Sequence, residues 1–268
     1  MAGWIKAILM AAGWLTALSG ARAQEPVDVA LVLAVDVSRS MSRQELTIQR
    51  DGYAAALNHP DVVRAIAQGA YGRIAVTMFE WAGTESIRQV FDWTLVETGA
   101  DADRLSAIVA GTRPVAQRRT SISGAILHAL DRLDASPYEG FRKVIDVSGD
   151  GPNNQGEPVL EAREVALSKR IIINGLPLMT TGGFYGRYSI PYLDRYYVDC
   201  VIGGPASFSL PVKSWEEFPE AVRRKLVLEL AGHAMRESEL PLVRVAQEEK
   251  TDCLIGERLL LQWDFNDR

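Results

Sequence analysis

The sequence predicts an α/β protein built on a doubly wound, mostly parallel sheet. Segments of strand length alternate along the chain with segments of helical periodicity, which is typical of sheets whose crossovers are helices. The first strand segment, Val29–Val35, is apolar throughout and rich in Val and Leu. A run without polar alternation indicates a strand that is buried on both faces of a parallel sheet.

Local signals then place the other elements. Ser42-Arg43-Gln44-Glu45 has the form of a capping box and predicts a helix to about Leu57. The segment 86–90 follows Gly83 closely enough to pair with the strand 73–81 as an edge hairpin. The periodicity predicts further helices at 62–68, 102–111, 122–133, 158–169, 191–198 and 215–235 (with Ser214 as N-cap), and further strands at 143–147, 170–176 and 206–211.

Residues 1–23 have the features of a signal peptide. Lys6 precedes an apolar core, 7–18, and Ala21-Arg22-Ala23 provides a small-residue cleavage site. The apolar core is short for a membrane span, although an uncleaved anchor is the alternative. We therefore expect a periplasmic or secreted protein without stable membrane insertion after cleavage.

The charge of the chain argues against nucleic-acid binding. The formal net charge is −5, and it becomes −7 without residues 1–23, because Lys6 and Arg22 are lost and no acid is. Proteins that bind phosphate backbones present a basic stripe, and anionic lipid attracts a polybasic patch. The acidic composition favours neither partner.

The domain organisation is expected to be simple. One domain is predicted over 24–236, with a Tyr- and Gly-rich insert at 179–212 and a C-terminal extension at 237–268. Cys200 and Cys253 are expected to form one disulfide, as an even cysteine count in an exported chain suggests. Two buried free thiols are the alternative.

Oxygen-bearing side chains collect where predicted strands end. Asp36, Ser38 and Ser40 follow the first strand, Asp150 follows a later apolar strand, and Thr120 lies in a loop before a helix. Ligands bind at the carboxyl ends of strands in such sheets. Hard oxygen donors suit Mg²⁺ or Mn²⁺ and leave positions for water and one external oxygen. We therefore expect a metal site formed by these three loops.

The same residues resemble a von Willebrand factor A domain. In that family, Asp-x-Ser-x-Ser, a mid-chain Thr and a later Asp-Gly form a metal-ion-dependent adhesion site (MIDAS). The resemblance covers 27–178 and, at the terminal helix, 214–235. It implies a Rossmann-like sheet, a divalent cation held directly by hydroxyls and partly through water by aspartates, and a partner carboxylate on the metal. The phrases 147–154 and 200–205 also resemble a narrower group of uncharacterised exported bacterial proteins.

The favoured function is a noncatalytic, adhesion-type binding module whose partner is a protein or another ligand with an acidic group. No general base or nucleophile constellation is apparent, so we do not expect an enzyme. A metal-assisted hydrolase, such as a phosphoesterase, is the alternative at the same loops. A domain whose metal only stabilises loops is a third. The partner, the process and the oligomeric state stay open.

Several other polar residues have simpler interpretations. Ser42 is better explained as a helix cap than as a ligand, and Ser121 is expected to cap the helix after Thr120. Asp146 is either a hydrogen-bond acceptor behind the site or a buried partner of a Ser or Arg. His128 is expected to pack on a helix face. The tyrosines are expected to pack at the sheet edge: Tyr185, Tyr188, Tyr192, Tyr196 and Tyr197.

Overall fold

A computed structural model describes residues 24–180, 189–231 and 251–266. Its centre is a five-stranded sheet with the strand order β3-β2-β1-β4-β5. Neighbouring strands run parallel except at the β2–β3 pair, which is antiparallel. The predicted doubly wound, mostly parallel α/β sheet is confirmed. The strands are β1 (Glu25–Asp36), β2 (Ile74–Trp81), β3 (Ile87–Val96), β4 (Tyr138–Gly149) and β5 (Ile172–Pro177).

Helices cover both faces of the sheet, and each face has its own apolar core. One core packs the helices α1, α2, α3 and α7 on the sheet, and the other packs α4, α5 and the segment around α6. This arrangement is why the central strands read as continuous apolar runs. The helices are α1 (Arg43–Leu57), α2 (Pro60–Ala67), α3 (Gly99–Gly111), α4 (Ile122–Asp134), α5 (Val159–Ser168), α6 (Leu193–Tyr196), α7 (Phe218–Ala231) and α8 (Ile255–Asn266).

The central strand β1 sets the position of the candidate site. The chain leaves β1 for β2 on one side, and β4 pairs with β1 on the other. The register places Val35 beside Ser148, so that Asp36 and Asp150 leave the sheet at the same edge. The crevice at such a topological switch is where ligands bind in open α/β sheets.

Two local predictions are confirmed in detail. In the capping box of α1, the backbone N–H of Ser42 donates to Glu45 Oε2 (2.6 Å) and that of Glu45 donates to Ser42 Oγ (3.2 Å). The hairpin partner of β2 exists as the edge strand β3, which continues to Val96, beyond the predicted end.

The predicted strand 206–211 is wrong. The segment is extended beside β5, but it forms only isolated bridges, which join Gly175 to Ser209 and Leu178 to Val212. The N–H groups of Leu210 and Val212 donate to β5, but Pro177 of β5 has no N–H to donate back to Leu210, so the ladder is interrupted there.

The last predicted helices need smaller corrections. The expected helix 191–198 is the short α6 followed by one π-helical turn, Tyr197–Val201. The helix α7 begins at Phe218, and Ser214 Oγ accepts from the N–H of Glu217 (3.3 Å) in the turn before it. The predicted end of this helix at 235 and the predicted signal peptide lie outside the described residues. No helix in the described ranges is long and apolar enough to span a membrane.

The predicted disulfide is confirmed. Cys200 in the π-helical turn is bonded to Cys253 just before α8, with their Cα atoms 5.6 Å apart. The bond attaches the C-terminal helix to the segment that follows β5.

Candidate metal centre

The loop after β1 is shaped by Asp36. Its Oδ1 accepts from the backbone N–H of Ser38 (2.6 Å), which folds the chain back so that the next hydroxyls face the same side. Gln49 of α1 donates to the carbonyl oxygen of Asp36 (2.8 Å). Asp36 is fully buried and Ser38 nearly so. The loop is therefore held rigidly in the crevice.

Three further oxygens meet beside it. Ser40 Oγ donates to Asp150 Oδ1 (2.6 Å), and Ser38 Oγ donates to the same oxygen at 3.3 Å. The two serine hydroxyls are 2.9 Å apart. The structure thus brings together Asp36, Ser38, Ser40 and Asp150, from the ends of β1 and β4.

Thr120 lies against the loop that carries Asp150. Its backbone N–H donates to Asn154 Oδ1 (2.9 Å), and its carbonyl oxygen accepts from the N–H of Asn154 (2.8 Å). The neighbouring Ser121 caps α4, because its Oγ accepts from the N–H of Gly124 (3.1 Å). The capping role predicted for Ser121 is confirmed, and Thr120 is buried and joined to this loop through its backbone.

The electrostatics of the two carboxylates favour a cation. Burial, and next the negative charge of Asp150, raise the pKa of Asp36 well above its ordinary value. Burial likewise raises the pKa of Asp150 to about 6. Neither carboxylate has an ion pair with a described residue, and the buried Oδ2 of Asp36 has no hydrogen-bond partner there. Two desolvated carboxylates with hard hydroxyl neighbours suit a divalent cation.

Gly149 and Tyr197 complete the wall behind Asp36, and sequence reasoning missed both. A Cβ atom on Gly149 would lie 2.9 Å from Asp36 Oδ2 and 2.9 Å from the Tyr197 hydroxyl. Tyr197 is fully buried, and burial followed by the charge of Asp36 raises the pKa of its hydroxyl. The Gly in Ser-Gly-Asp-Gly was visible in the sequence, whereas nothing local indicated that Tyr197 faces Asp36.

The C-terminal segment supports the loop between Asp150 and α5. Sequence reasoning also missed this contact. Asn153 Nδ2 donates to Glu257 Oε1 of α8 (2.7 Å), and the N–H of Asn153 donates to the Tyr196 hydroxyl (3.2 Å). Asn153 Oδ1 accepts from the N–H of Ser123 in α4 (3.0 Å). A Cβ on Gly256 would lie only 2.0 Å from the carbonyl oxygen of Asn153. The loop between Asp150 and α5 is therefore clamped between α4 and α8.

The other polar residues have structural roles. Asp146 forms a buried ion pair with Lys225 of α7 (2.7 Å). It is therefore a buried partner, as one of the two interpretations expected, but its partner is a lysine and not a serine or arginine. His128 packs edge-on against Phe79, which confirms the packing role. No group of three or more His, Cys, Asp or Glu side chains suited to a metal occurs within the described residues.

The predicted edge packing of the tyrosines is only partly correct. Tyr196 and Tyr197 are buried in the core, and Tyr192 is 72% exposed. Tyr185 and Tyr188 lie outside the described residues.

Comparison with solved structures identifies the fold. Proximal thread matrix protein 1 (PTMP1) from the mussel byssus, in a structure with a zinc-occupied MIDAS motif, is similar with a TM-score of 0.53 and 14% identity over 78% of this chain and 49% of that one. This chain thus spans about half the length of the mussel protein. The pilus tip protein Mfa5 from Porphyromonas gingivalis is similar through its vWF domain, with a TM-score of 0.53 and 11% identity over 77% of this chain and 96% of that domain.

A third similar structure is the pilus adhesin SpaC from Lactobacillus rhamnosus GG, with a TM-score of 0.54 and 12% identity over 77% of this chain and 31% of that one. The sheet order and these likenesses define the molecule as a von Willebrand factor A-like fold. The chain belongs to the family described as "Protein of unknown function (DUF1194)", which matches residues 26–234. No curated protein matches the chain.

Proposed function

We propose that this protein is an exported, metal-dependent binding module of the adhesion type. A divalent cation, Mg²⁺ or Mn²⁺, would be held by the oxygens of Asp36, Ser38, Ser40, Thr120 and Asp150. The bound cation supplies a Lewis-acidic position for an acidic group of a partner. The observation that carries the proposal is the pair of buried carboxylates without a cationic partner among the described residues, faced by two serine hydroxyls.

The similar structures support the adhesion reading. They include a byssus matrix protein with zinc in its MIDAS motif, a pilus adhesin and a pilus tip domain. Their identities of 11–14% establish likeness of fold alone. The argument for a metal in this chain therefore depends on its own oxygen set.

A hydrolytic function has less support. A metal-assisted hydrolase needs a group that activates water or protonates a leaving group. Of the described histidines, His59 caps α2 and His128 packs against Phe79. We therefore propose a binding function without catalysis.

The proposal includes export and one principal domain. Residues 1–23 would be removed as a signal peptide, and residues 24–236 would form the domain, with 179–212 as an insert and 237–268 as an extension. The disulfide between Cys200 and Cys253 supports an oxidising compartment, because such bonds persist in the periplasm and outside the cell.

Calorimetric titration of the exported protein with Mg²⁺ and Mn²⁺ tests the metal site directly. We expect binding by the wild type and a loss of affinity of at least about tenfold in Asp36→Asn, which keeps the size of the side chain but removes its charge. Ser42→Ala is the matched control, since it removes a hydroxyl that caps α1 in the same loop. Equal affinity of wild type and Asp36→Asn would refute the proposed site.

A further inference from the structure

A groove begins at the metal-binding loop and is lined by arginines. It has a volume of about 830 Å³ and lies between the first turns of α1 and the segment 113–116. Arg39, which stands between Ser38 and Ser40 in the sequence, is part of its wall. The groove therefore borders the loop that carries the proposed metal ligands Ser38 and Ser40.

Backbone pairing holds the two walls together. The N–H of Arg39 donates to the carbonyl oxygen of Gln117 (2.8 Å), and the N–H of Gln117 donates to that of Val37 (2.9 Å). The segment that carries Arg113 is thus tied to the loop that carries the serines. The groove and the metal centre share one rigid support.

All the charged side chains of the groove are positive. Its lining contains four arginines and no acidic residue, in a chain whose net charge is −5. Within the described residues, the guanidinium groups of Arg39, Arg43 and Arg113 make no hydrogen bond or ion pair. Arg50 is already engaged by Asp51 (2.8 Å). Three unpaired guanidinium groups in one groove provide strong donors for carboxylates.

Apolar side chains form most of the remaining lining, which also includes the hydroxyl groups of Ser42 and Thr47. Met41 and Leu46 are buried at its base, and Val115 is 55% exposed on its wall. A peptide presents carboxylates together with apolar side chains, and in an extended segment those on one face repeat at about 7 Å. An acidic polysaccharide would present hydroxyl groups to this apolar base. The lining therefore favours a peptide.

We propose that this groove binds an acidic peptide segment of the partner protein, whose further acidic side chains contact Arg39, Arg43 and Arg113 while one carboxylate reaches the metal. The inference rests on the proposed function, because the metal anchors the segment. It adds the class of partner: a protein segment with several acidic residues and interspersed apolar ones.

Selection from a displayed library of random 12-residue peptides tests this assignment. Peptides are captured on the wild-type protein in Mg²⁺ and eluted with EDTA. We expect the eluted pool to be enriched in Asp and Glu, and its members to bind Arg43→Glu/Arg113→Glu at least about tenfold more weakly than wild type. Arg224→Glu, an exposed arginine of α7, is the matched control and should bind normally.

Separate results distinguish the groove from the metal centre. An eluted pool without acidic enrichment, or with equal affinity for the double variant, would overturn the groove assignment and leave the proposed function standing. Groove-dependent binding of oligogalacturonate in place of peptides would overturn it in favour of a polysaccharide. If no peptide is released by EDTA and calorimetry shows no Mg²⁺ binding, the proposed function itself fails, and the groove assignment with it.

Discussion

At the scale of single residues, the candidate metal centre depends on a glycine that brings no ligand. Gly149 ends β4 and leaves room for the Asp36 carboxylate and the Tyr197 hydroxyl on its two sides. Any side chain at position 149 would collide with the Asp36 carboxylate and displace it. The Asp36 carboxylate can take its observed position because residue 149 has no side chain.

The substitution Gly149→Ala should weaken Mg²⁺ binding by at least about tenfold, because its Cβ would lie 2.9 Å from Asp36 Oδ2 and displace the carboxylate. Calorimetric titration measures the effect. Gly111→Ala is the matched control, since a Cβ at that position meets nothing within 4 Å. Unchanged affinity in Gly149→Ala would show that the position of Asp36 does not matter for the metal.

At the scale of elements, α7 is joined to the sheet by a buried charge cluster. Lys225 Nζ lies 2.7 Å from Asp146 Oδ1 of β4 and 2.6 Å from Glu229 Oε1. Asn174 of β5 donates to the same oxygen of Glu229 (3.0 Å). One positive group, Lys225, is buried with two carboxyl groups, so one negative charge is uncompensated, and this favours protonation of a carboxyl group. Burial, and next the charge of Glu229, raise the pKa of Asp146 to about 7.

This cluster predicts that stability falls as the pH rises from about 4 to about 7. The pKa of Asp146 is raised on folding, so the folded state binds more protons than the unfolded state across that window. In Asp146→Asn this contribution is absent, and the free energy of unfolding should change less between pH 5 and pH 7.5, by about 2 to 3 kcal/mol. Urea denaturation at both pH values measures the difference.

Asp131→Asn, an exposed position on α4, is the matched control and should keep the wild-type pH dependence. An Asp146→Asn variant with the full wild-type dependence would mean that another group holds the proton.

At the scale of the whole molecule, distant parts of the chain meet around one crevice. The carboxylates of Asp36 and Asp150 lie at the ends of β1 and β4, and Thr120 lies in the loop before α4. The helix α8 contacts the loop between Asp150 and α5 through Glu257. The disulfide between Cys200 and Cys253 holds α8 there. The C-terminal segment is therefore part of the support of the site.

Removal of the disulfide by Cys200→Ala/Cys253→Ala should lower the free energy of unfolding by about 2–4 kcal/mol, since the bond closes a loop with a sequence separation of 53. The Mg²⁺ affinity should fall as well, because the clamp on Asn153 is loosened. Denaturation and calorimetry measure the two effects. Lower stability with wild-type Mg²⁺ affinity would show that α8 does not support the metal loop.

The sequence by itself determined the features that depend on near neighbours. The apolar run of β1, the Ser42 capping box, the β2–β3 hairpin and the Asp-x-Ser-x-Ser loop all follow from short-range sterics and hydrogen bonding. Even the meeting of Asp36 with Asp150 could be predicted, because parallel strands end at one edge. Occupation of the site by a metal stays a prediction.

Only the tertiary structure decided which distant residues surround that crevice. Tyr197 faces Asp36, Lys225 pairs with Asp146, and Gly256 packs on Asn153 across long stretches of chain. Local patterns specify that a segment is apolar or helical, but the face on which it docks depends on the packing of the whole molecule. For the same reason the segment 206–211, strand-like in its residues, became an irregular extended edge beside β5. The loop Asp36-x-Ser38-x-Ser40 could be predicted from the sequence, but the residues that surround it, such as Tyr197, could not.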